Sequence, residues 1–162
     1  MRQIVKAKIE DATLIKQLAH TIWYPTYGQI LSKKQIDFML ENIYAVETLQ
    51  KSMQENTEFY LLYEDGVAVG FIGFGPKDDL MRIDKIYLLP STQGKGYGKM
   101  LIDFVAKQAI RLRLKELELN VNRYNNAYNF YLKQGFKVVE EVDIPYHEFF
   151  LNDYVMRKSL IS

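Results

Sequence analysis

The sequence predicts an α+β fold in one layered domain, and three observations carry that prediction. Apolar residues recur at helical spacing early in the chain, switch to strand-like runs between Phe59 and Leu89, and then alternate strand, helix and strand to the end. A strand–helix–strand run of this kind puts one parallel pair inside an otherwise antiparallel sheet. No repeat, low-complexity tract or Pro/Gly/Ser linker interrupts the 162 residues, a length that suits a single domain able to bury roughly 70% of its unfolded surface.

Residues 2–9 alternate enough, through Ile4, Ala7 and Ile9, for a first strand. Asp11 is placed to cap a helix with Leu14, Ile15, Leu18, Ala19 and Ile22 on one face. The run Trp23-Tyr24-Pro25-Thr26-Tyr27-Gly28 is expected to break that helix as an aromatic loop. Ser32 with Gln35 forms a capping box ahead of Ile36, Met39, Leu40 and Ile43, and a weaker helical pattern follows on Leu49 and Met53. Residues 59–63 and 67–74 read as two strands around a Gly66 turn, and residues 81–89 as a third, stopped by Pro90. A long helix from Gly98 carries Leu101, Phe104, Val105, Ala109 and Leu112 on its buried stripe. Leu117, Leu119 and Val121 mark another strand, and residues 127–134 a short helix closed by Gly135. Two strands, 137–143 and 149–158, close the chain.

Composition narrows the function classes. With 21 Lys plus Arg against 20 Asp plus Glu, there is no global electrostatic case for nucleic acid or an anionic membrane as partner. The lack of cysteine excludes a disulfide framework, thiolate metal sites and cysteine nucleophiles. His20 and His147 lie far apart without ligand spacing, so no metal site is expected. The charged start has no apolar h-region and no stretch is long and apolar enough for a membrane span, so the cytoplasm is the expected location.

The most informative stretch is Pro90-Ser91-Thr92-Gln93-Gly94-Lys95-Gly96-Tyr97-Gly98-Lys99, where a strand enters a glycine-rich turn and a long helix leaves it. Glycines let backbone approach a ligand closely, and the first free N–H groups of a helix carry partial positive charge, so the segment reads as an anion cradle with Lys95 and Lys99 beside it. A Walker A loop fails twice, because Gln93 stands where its first glycine is needed and Met100 follows Lys99. The G-x-G-x-x-G dinucleotide fingerprint also fails on spacing. Gln93-x-x-Gly96-x-Gly98 between strand and helix resembles instead the acyl-CoA-binding motif of the GNAT N-acetyltransferases. Ala127, Tyr131, Gly135 and Phe136 match that family's later pattern, and Asp153-Tyr154-Val155-Met156-Arg157-Lys158 resembles its last strand. The resemblance covers roughly residues 59–160 and is only topological before that.

The resemblance implies a mostly antiparallel, twisted mixed sheet whose one parallel pair splays apart, with helices on both faces. It implies one N-acetyltransferase domain over 1–162, with the first strand and acceptor-side helices in 1–57, the acetyl-CoA-binding core in 58–136 and closing strands in 137–162. It implies acetyl-CoA as acetyl donor, direct attack by a primary amine, no covalent enzyme intermediate and no metal. The backbone of Ile86, Tyr87 and Leu88 would take the pantetheine arm. The N–H groups of Gly94, Lys95, Gly96, Tyr97, Gly98 and Lys99 would take the pyrophosphate, with Gln93 bracing the turn. Tyr131 matches the family tyrosine near the thioester sulfur, where a phenol of ordinary pKa about 10 can donate to a departing thiolate; Tyr128, three residues earlier, competes for that role. Many relatives carry an asparagine where this chain has Tyr124, so Asn126 is the expected cofactor contact, with Asn125 as alternative or as helix cap.

On the acceptor side the candidates are Trp23, Tyr27 and Asp84, suited to a cationic amine through cation–π and carboxylate contacts. Asp84 is expected on the opposite side from Lys85 and Tyr87 in a regular strand, with an ion-pair role as its alternative. His147 is a weaker candidate, and no general base is identified. The helical N-terminal part and the Ile83–Tyr87 strand are loosely similar to bacterial polyamine acetyltransferases, which slightly favours a small amine such as a polyamine. A peptide or protein N-acetyltransferase and a catalytically silent acyl-CoA-sensing domain are the alternatives. The closing strands could supply an edge for a homodimer.

Overall fold

The computed structural model describes residues 1–161; Ser162, the end of the expected closing segment, lies outside the described residues. Strand β1 (Arg2–Lys6) leads into helices α1 (Ala12–Tyr27), α2 (Lys33–Ile43) and α3 (Val46–Gln54). Strands β2 (Glu58–Glu64), β3 (Val67–Lys77) and β4 (Leu80–Leu88) form an antiparallel meander, and α4 (Tyr97–Arg111) returns the chain to β5 (Glu116–Asn122), parallel to β4. Helix α5 (Ala127–Lys133) precedes the closing hairpin of β6 (Lys137–Tyr146) and β7 (Phe149–Ser159). The sheet order is β1-β2-β3-β4-β5-β7-β6, so the one parallel pair sits at its centre. Among the described residues no helix is long and apolar enough to cross a membrane.

Alternation along the strands feeds two cores, one on each face of the sheet. Ile72, Phe74, Ile83, Leu117 and Met156 pack with Leu101 and Val105 of α4 and Tyr131 of α5. Phe59, Leu61 and Phe71 pack with Ile15 and Ile22 of α1, Leu40 of α2 and Leu49 of α3. Helices therefore cover both faces.

Several local expectations are corrected. β1 ends at Lys6, because Asp11 accepts the Lys8 N–H at 2.8 Å and folds residues 9–11 into a 3₁₀ turn; Asp11 makes no cap bond to α1. Helix α1 runs through the expected break to Tyr27 with Pro25 inside it. Proline in a helix interior costs about 3 kcal/mol. Trp23 and Tyr27, only 4% and 8% exposed, offset that by burying two aromatic rings against the sheet. At α2, Ser32 accepts the Gln35 N–H at 3.1 Å, but the reciprocal arm is missing: the Gln35 amide donates to the Phe150 carbonyl at 3.3 Å. Leu112 lies past the end of α4 and is exposed, and Ile102 takes the buried place. β6 continues through Pro145, which an outermost strand tolerates because no ladder bond needs its N–H.

Two features open the sheet. β3 and β4 pair Gly73 with Lys85 and then Phe74 with Ile83, which leaves Asp84 as the extra residue of a β-bulge. β4 and β5 pair only at Leu80–Glu116, Met81–Leu117 and Arg82–Glu118, and beyond that rung they part. The last rung is clamped. Glu118, 3% exposed, accepts from Arg82 Nη1 at 3.1 Å and Arg157 Nε at 2.9 Å, with Lys77 Nζ 3.6 Å away.

Candidate active site

A cavity of about 1080 Å³ occupies the gap between β4 and β5 and reaches the glycine loop at one end and α1–α3 at the other. Beyond Arg82 the edge of β4 away from β3 has no strand paired to it, and Ile86, Tyr87 and Leu88 line this gap, where the resemblance implies a splayed pair.

At the loop end, Gly94 and Gly96 have φ of +82° and +78°, and a Cβ built on either meets nothing within 4 Å. The space is therefore open for a ligand, and the left-handed backbone makes any side chain there strained. Gly98 serves another purpose: a Cβ on it would come within 2.8 Å of the Phe130 ring, so its absence lets α4 and α5 pack closely. The first-turn N–H groups of α4 point out of the helix end and are free of intrahelical partners. Bracing of the turn falls to Thr92, which is buried and donates its hydroxyl to the Leu89 carbonyl at 2.7 Å. Gln93 is exposed at the cavity wall. The Lys95 ammonium pairs with Glu64 at 3.0 Å and Lys99 with Asp103 at 2.7 Å, while the buried Tyr97 hydroxyl also donates to Glu64. Both ammonium groups are thus paired with carboxylates, and the Lys95 N–H, expected in the cradle, donates instead to the Thr92 carbonyl at 3.3 Å.

Tyr131 lines the cavity from α5, its ring against Phe130 and Phe136 at 5.4 and 5.6 Å between centres. Burial, with the nearby Tyr27, raises its phenol above the ordinary value, so it is protonated at neutral pH. Tyr128 instead packs on Tyr154 at 5.0 Å and does not line the cavity, which separates the two tyrosines by position. Asn125 accepts the Ala127 N–H at 3.0 Å and so caps α5, whereas Asn126 makes no cap bond; both stand at the cavity wall.

The far end is aromatic. Trp23 packs on Tyr27, Tyr44 and Tyr87 at 4.7, 5.6 and 5.7 Å, and the Tyr27 and Tyr87 hydroxyls meet at 2.9 Å. Among the described residues Trp23 Nε1 and Tyr44 Oη are buried without a hydrogen-bond partner. Each such atom costs about 1–3 kcal/mol, and both belong to side chains that line the cavity. The Lys85 ammonium lies 5.7 Å from the ring centres of Tyr44 and Phe59, and burial lowers its pKa.

The bulge makes β4 irregular here: Ile83 faces the α4–α5 core while Lys85 and Tyr87 turn to the α1–α3 side, and all residues from Arg82 to Leu88, Asp84 among them, line the cavity. Asp84 stands 3.7 Å from Arg82 Nε. His147 packs on Phe38 at 4.8 Å and His20 Nδ1 lies 2.9 Å from the Lys16 carbonyl; neither lines the cavity. Sequence reasoning missed Tyr44, the Tyr87 side chain and Asp153, a cavity-lining carboxylate whose pKa burial raises. No local pattern marks them, since pairing across the sheet and the helix α2 terminus bring them in.

A model of the acetyltransferase (GNAT) domain matches residues 29–147. The chain is 29% identical to a spermidine N(1)-acetyltransferase of Thermoplasma acidophilum over 99% of this chain and 98% of that one. It is 36% identical to an L-ornithine N5-acetyltransferase of Arabidopsis thaliana over 48% of this chain and 37% of that one. A crystal structure of PaiA N-acetyltransferase from Thermoplasma acidophilum in complex with coenzyme A superposes with a TM-score of 0.87 at 28% identity, covering 98% of this chain and 99% of that one.

Proposed function

The chain belongs to the acetyltransferase (GNAT) family, and on that footing we propose that it transfers an acetyl group from acetyl-CoA to a small primary amine held in the aromatic end of the groove. Acetyl-CoA-dependent acyl transfer is the activity of the family and of this chain. We place the whole reaction in one N-acetyltransferase domain.

The observation that carries the reading is the continuity of the cavity. One space joins the glycine cradle, the free edge of β4, Tyr131 and the aromatic end. The open Cβ positions at Gly94 and Gly96 and the free N–H groups of α4 suit a pyrophosphate. The β4 edge at Ile86–Leu88 suits the amides of a pantetheine arm, and of the two asparagines at the cavity wall, Asn126 has no cap bond to give up for contact with that arm. Acetyl-CoA supplies a thioester already activated towards amines. Tyr131 holds a proton where a departing sulfur would need one. Trp23 and Tyr27 shape the acceptor end, with Asp84 at its rim. A polyamine or similar amine is the favoured acceptor, in line with the spermidine relative.

Two measurements test this. Thiol release from acetyl-CoA is followed across polyamines, amino acids, aminoglycosides and short peptides, on a chain that contributes no cysteine signal. Release is expected with small amines; silence across the panel while acetyl-CoA binds would support a sensing domain instead. Gly96→Ala is expected to weaken acetyl-CoA binding by about tenfold or more, from a methyl group in the cradle and about 1–2 kcal/mol of left-handed strain. Equal calorimetric affinities for variant and wild type would remove the cofactor from this loop.

A further inference from the structure

Asp153 is a carboxylate without a cation. It lines the cavity from β7, opposite Asn122 of β5, and its Oδ2 accepts only the Asn120 amide, at 3.2 Å. It forms no ion pair among the described residues, whereas the two arginines whose charge reaches it are committed elsewhere. Arg82 is held by Glu118 and Asp84. Arg123 is held by Asp143 at 2.6 Å and Glu141 at 3.5 Å, and its Nη1 donates to the main-chain carbonyls of Val142 and Asp153 at 2.9 and 3.4 Å, not to the Asp153 carboxylate. A partly desolvated carboxylate in this state is destabilised unless a ligand brings it positive charge. Its raised pKa, caused mainly by burial, fits that description.

Its position relative to the reacting end follows from the alternation along β7. Burial raises the Tyr27 phenol to about 12, and the Asp153 charge adds to that rise; the Tyr131 phenol is raised by burial and by Tyr27. Along β7, Tyr154 and Met156 face the α4–α5 core that holds Tyr131, whereas Leu151 faces α1–α3, so Asp153, two residues from Leu151, projects to the α1–α3 side where Tyr27 packs. A nitrogen near Tyr131 attacks the thioester, and a nitrogen at Asp153 is a different one. The other wall does not suit a second cation, because the Lys85 ammonium already occupies the Tyr44 and Phe59 faces. Asp84 is engaged with Arg82.

We propose that Asp153 binds a second, protonated nitrogen of the acceptor, so that the groove selects diamines over monoamines of the same length. This rests on the acetyl-transfer reading above and adds to it the charge and spacing of the acceptor.

The test compares 1,4-diaminobutane with butylamine, by kcat/KM with acetyl-CoA, in wild type and in Asp153→Asn, a near-isosteric change that keeps an acceptor for Asn120. The wild type is expected to prefer the diamine by tenfold or more, the range of a charge-assisted hydrogen bond. The variant is expected to bring the ratio to about twofold or less, mainly through the diamine KM, with acetyl-CoA affinity as the check that it folds. Calorimetric titration of 1,4-diaminobutane into the CoA-loaded protein reads the same contact without turnover, and binding should weaken about tenfold or more in the variant. An unchanged preference in Asp153→Asn, or its loss in Asp84→Asn alone, would overturn the assignment. Equal use of both amines by the wild type would overturn diamine selection while acetyl transfer stands. Thiol release with neither amine, when acetyl-CoA binds, would overturn acetyl transfer and this proposal with it.

Discussion

Tyr131→Phe is expected to lower kcat about 10²-fold while leaving acetyl-CoA affinity within about twofold, the signature of a lost general acid. The physical case is that the hydroxyl serves nothing else. It makes none of the side-chain hydrogen bonds among the described residues, and the ring keeps its contacts with Phe130 and Phe136 in the variant. Burial holds the phenol protonated, so at neutral pH it is a proton donor and not a base. Steady-state kinetics with a saturating amine, beside a thermal melt, checks this. A variant with full turnover would take Tyr131 out of the reaction; a variant that melts much lower would mean that the hydroxyl is structural after all.

Glu118→Ala is expected to produce the largest loss of stability, about 3 kcal/mol or more, and a fall in Tm on the order of 10 °C. Removing this carboxylate leaves Arg82, Arg157 and Lys77 gathered at the last rung of the β4–β5 pair with the buried partner of all three gone and only Asp84, 3.7 Å from Arg82, as a paired carboxylate among the described residues. Burial alone would raise the Glu118 pKa, but the Arg157 hydrogen bond and the charges of Arg82 and Lys77 outweigh it and hold the value below the usual carboxylate range. The sign follows from that depression. The stabilisation is complete above the unfolded carboxylate pKa of about 4.3 and is lost as pH falls through the lower folded value. The Tm difference between wild type and variant should therefore shrink on acidification below about pH 4. A difference that stays constant would show that the ion cluster is not its source.

Much of the fold was legible because its signals are local. The glycine loop, the Ala127–Tyr131–Gly135 spacing, the strand runs and most helix faces depend on residues close in sequence. The failures share a different cause. Pro25 reads as a breaker until Trp23 and Tyr27 are seen buried against Tyr44 and Tyr87. Asp84 looks regular until the register of β3 shows the bulge, which then turns Lys85 and Tyr87 to the other face. Pro145 looks like a strand end until β6 proves to be outermost. For the candidate site, Gly94, Gly96 and Tyr131 are marked by their spacing. Asp153 and Tyr44 carry no such mark, because the aromatic end of the cavity is assembled from α1, the end of α2, β4 and β7.

The most direct measurement is stoichiometry: the wild type incubated with acetyl-CoA and 1,4-diaminobutane, with free CoA thiol and N-acetylated amine quantified from the same sample. One N-acetyl group formed per thiol released, and no release without the amine, is the result expected if the groove carries direct transfer to an acceptor nitrogen. Thiol released without acetylated amine, or acetyl-CoA bound and left intact, would contradict it.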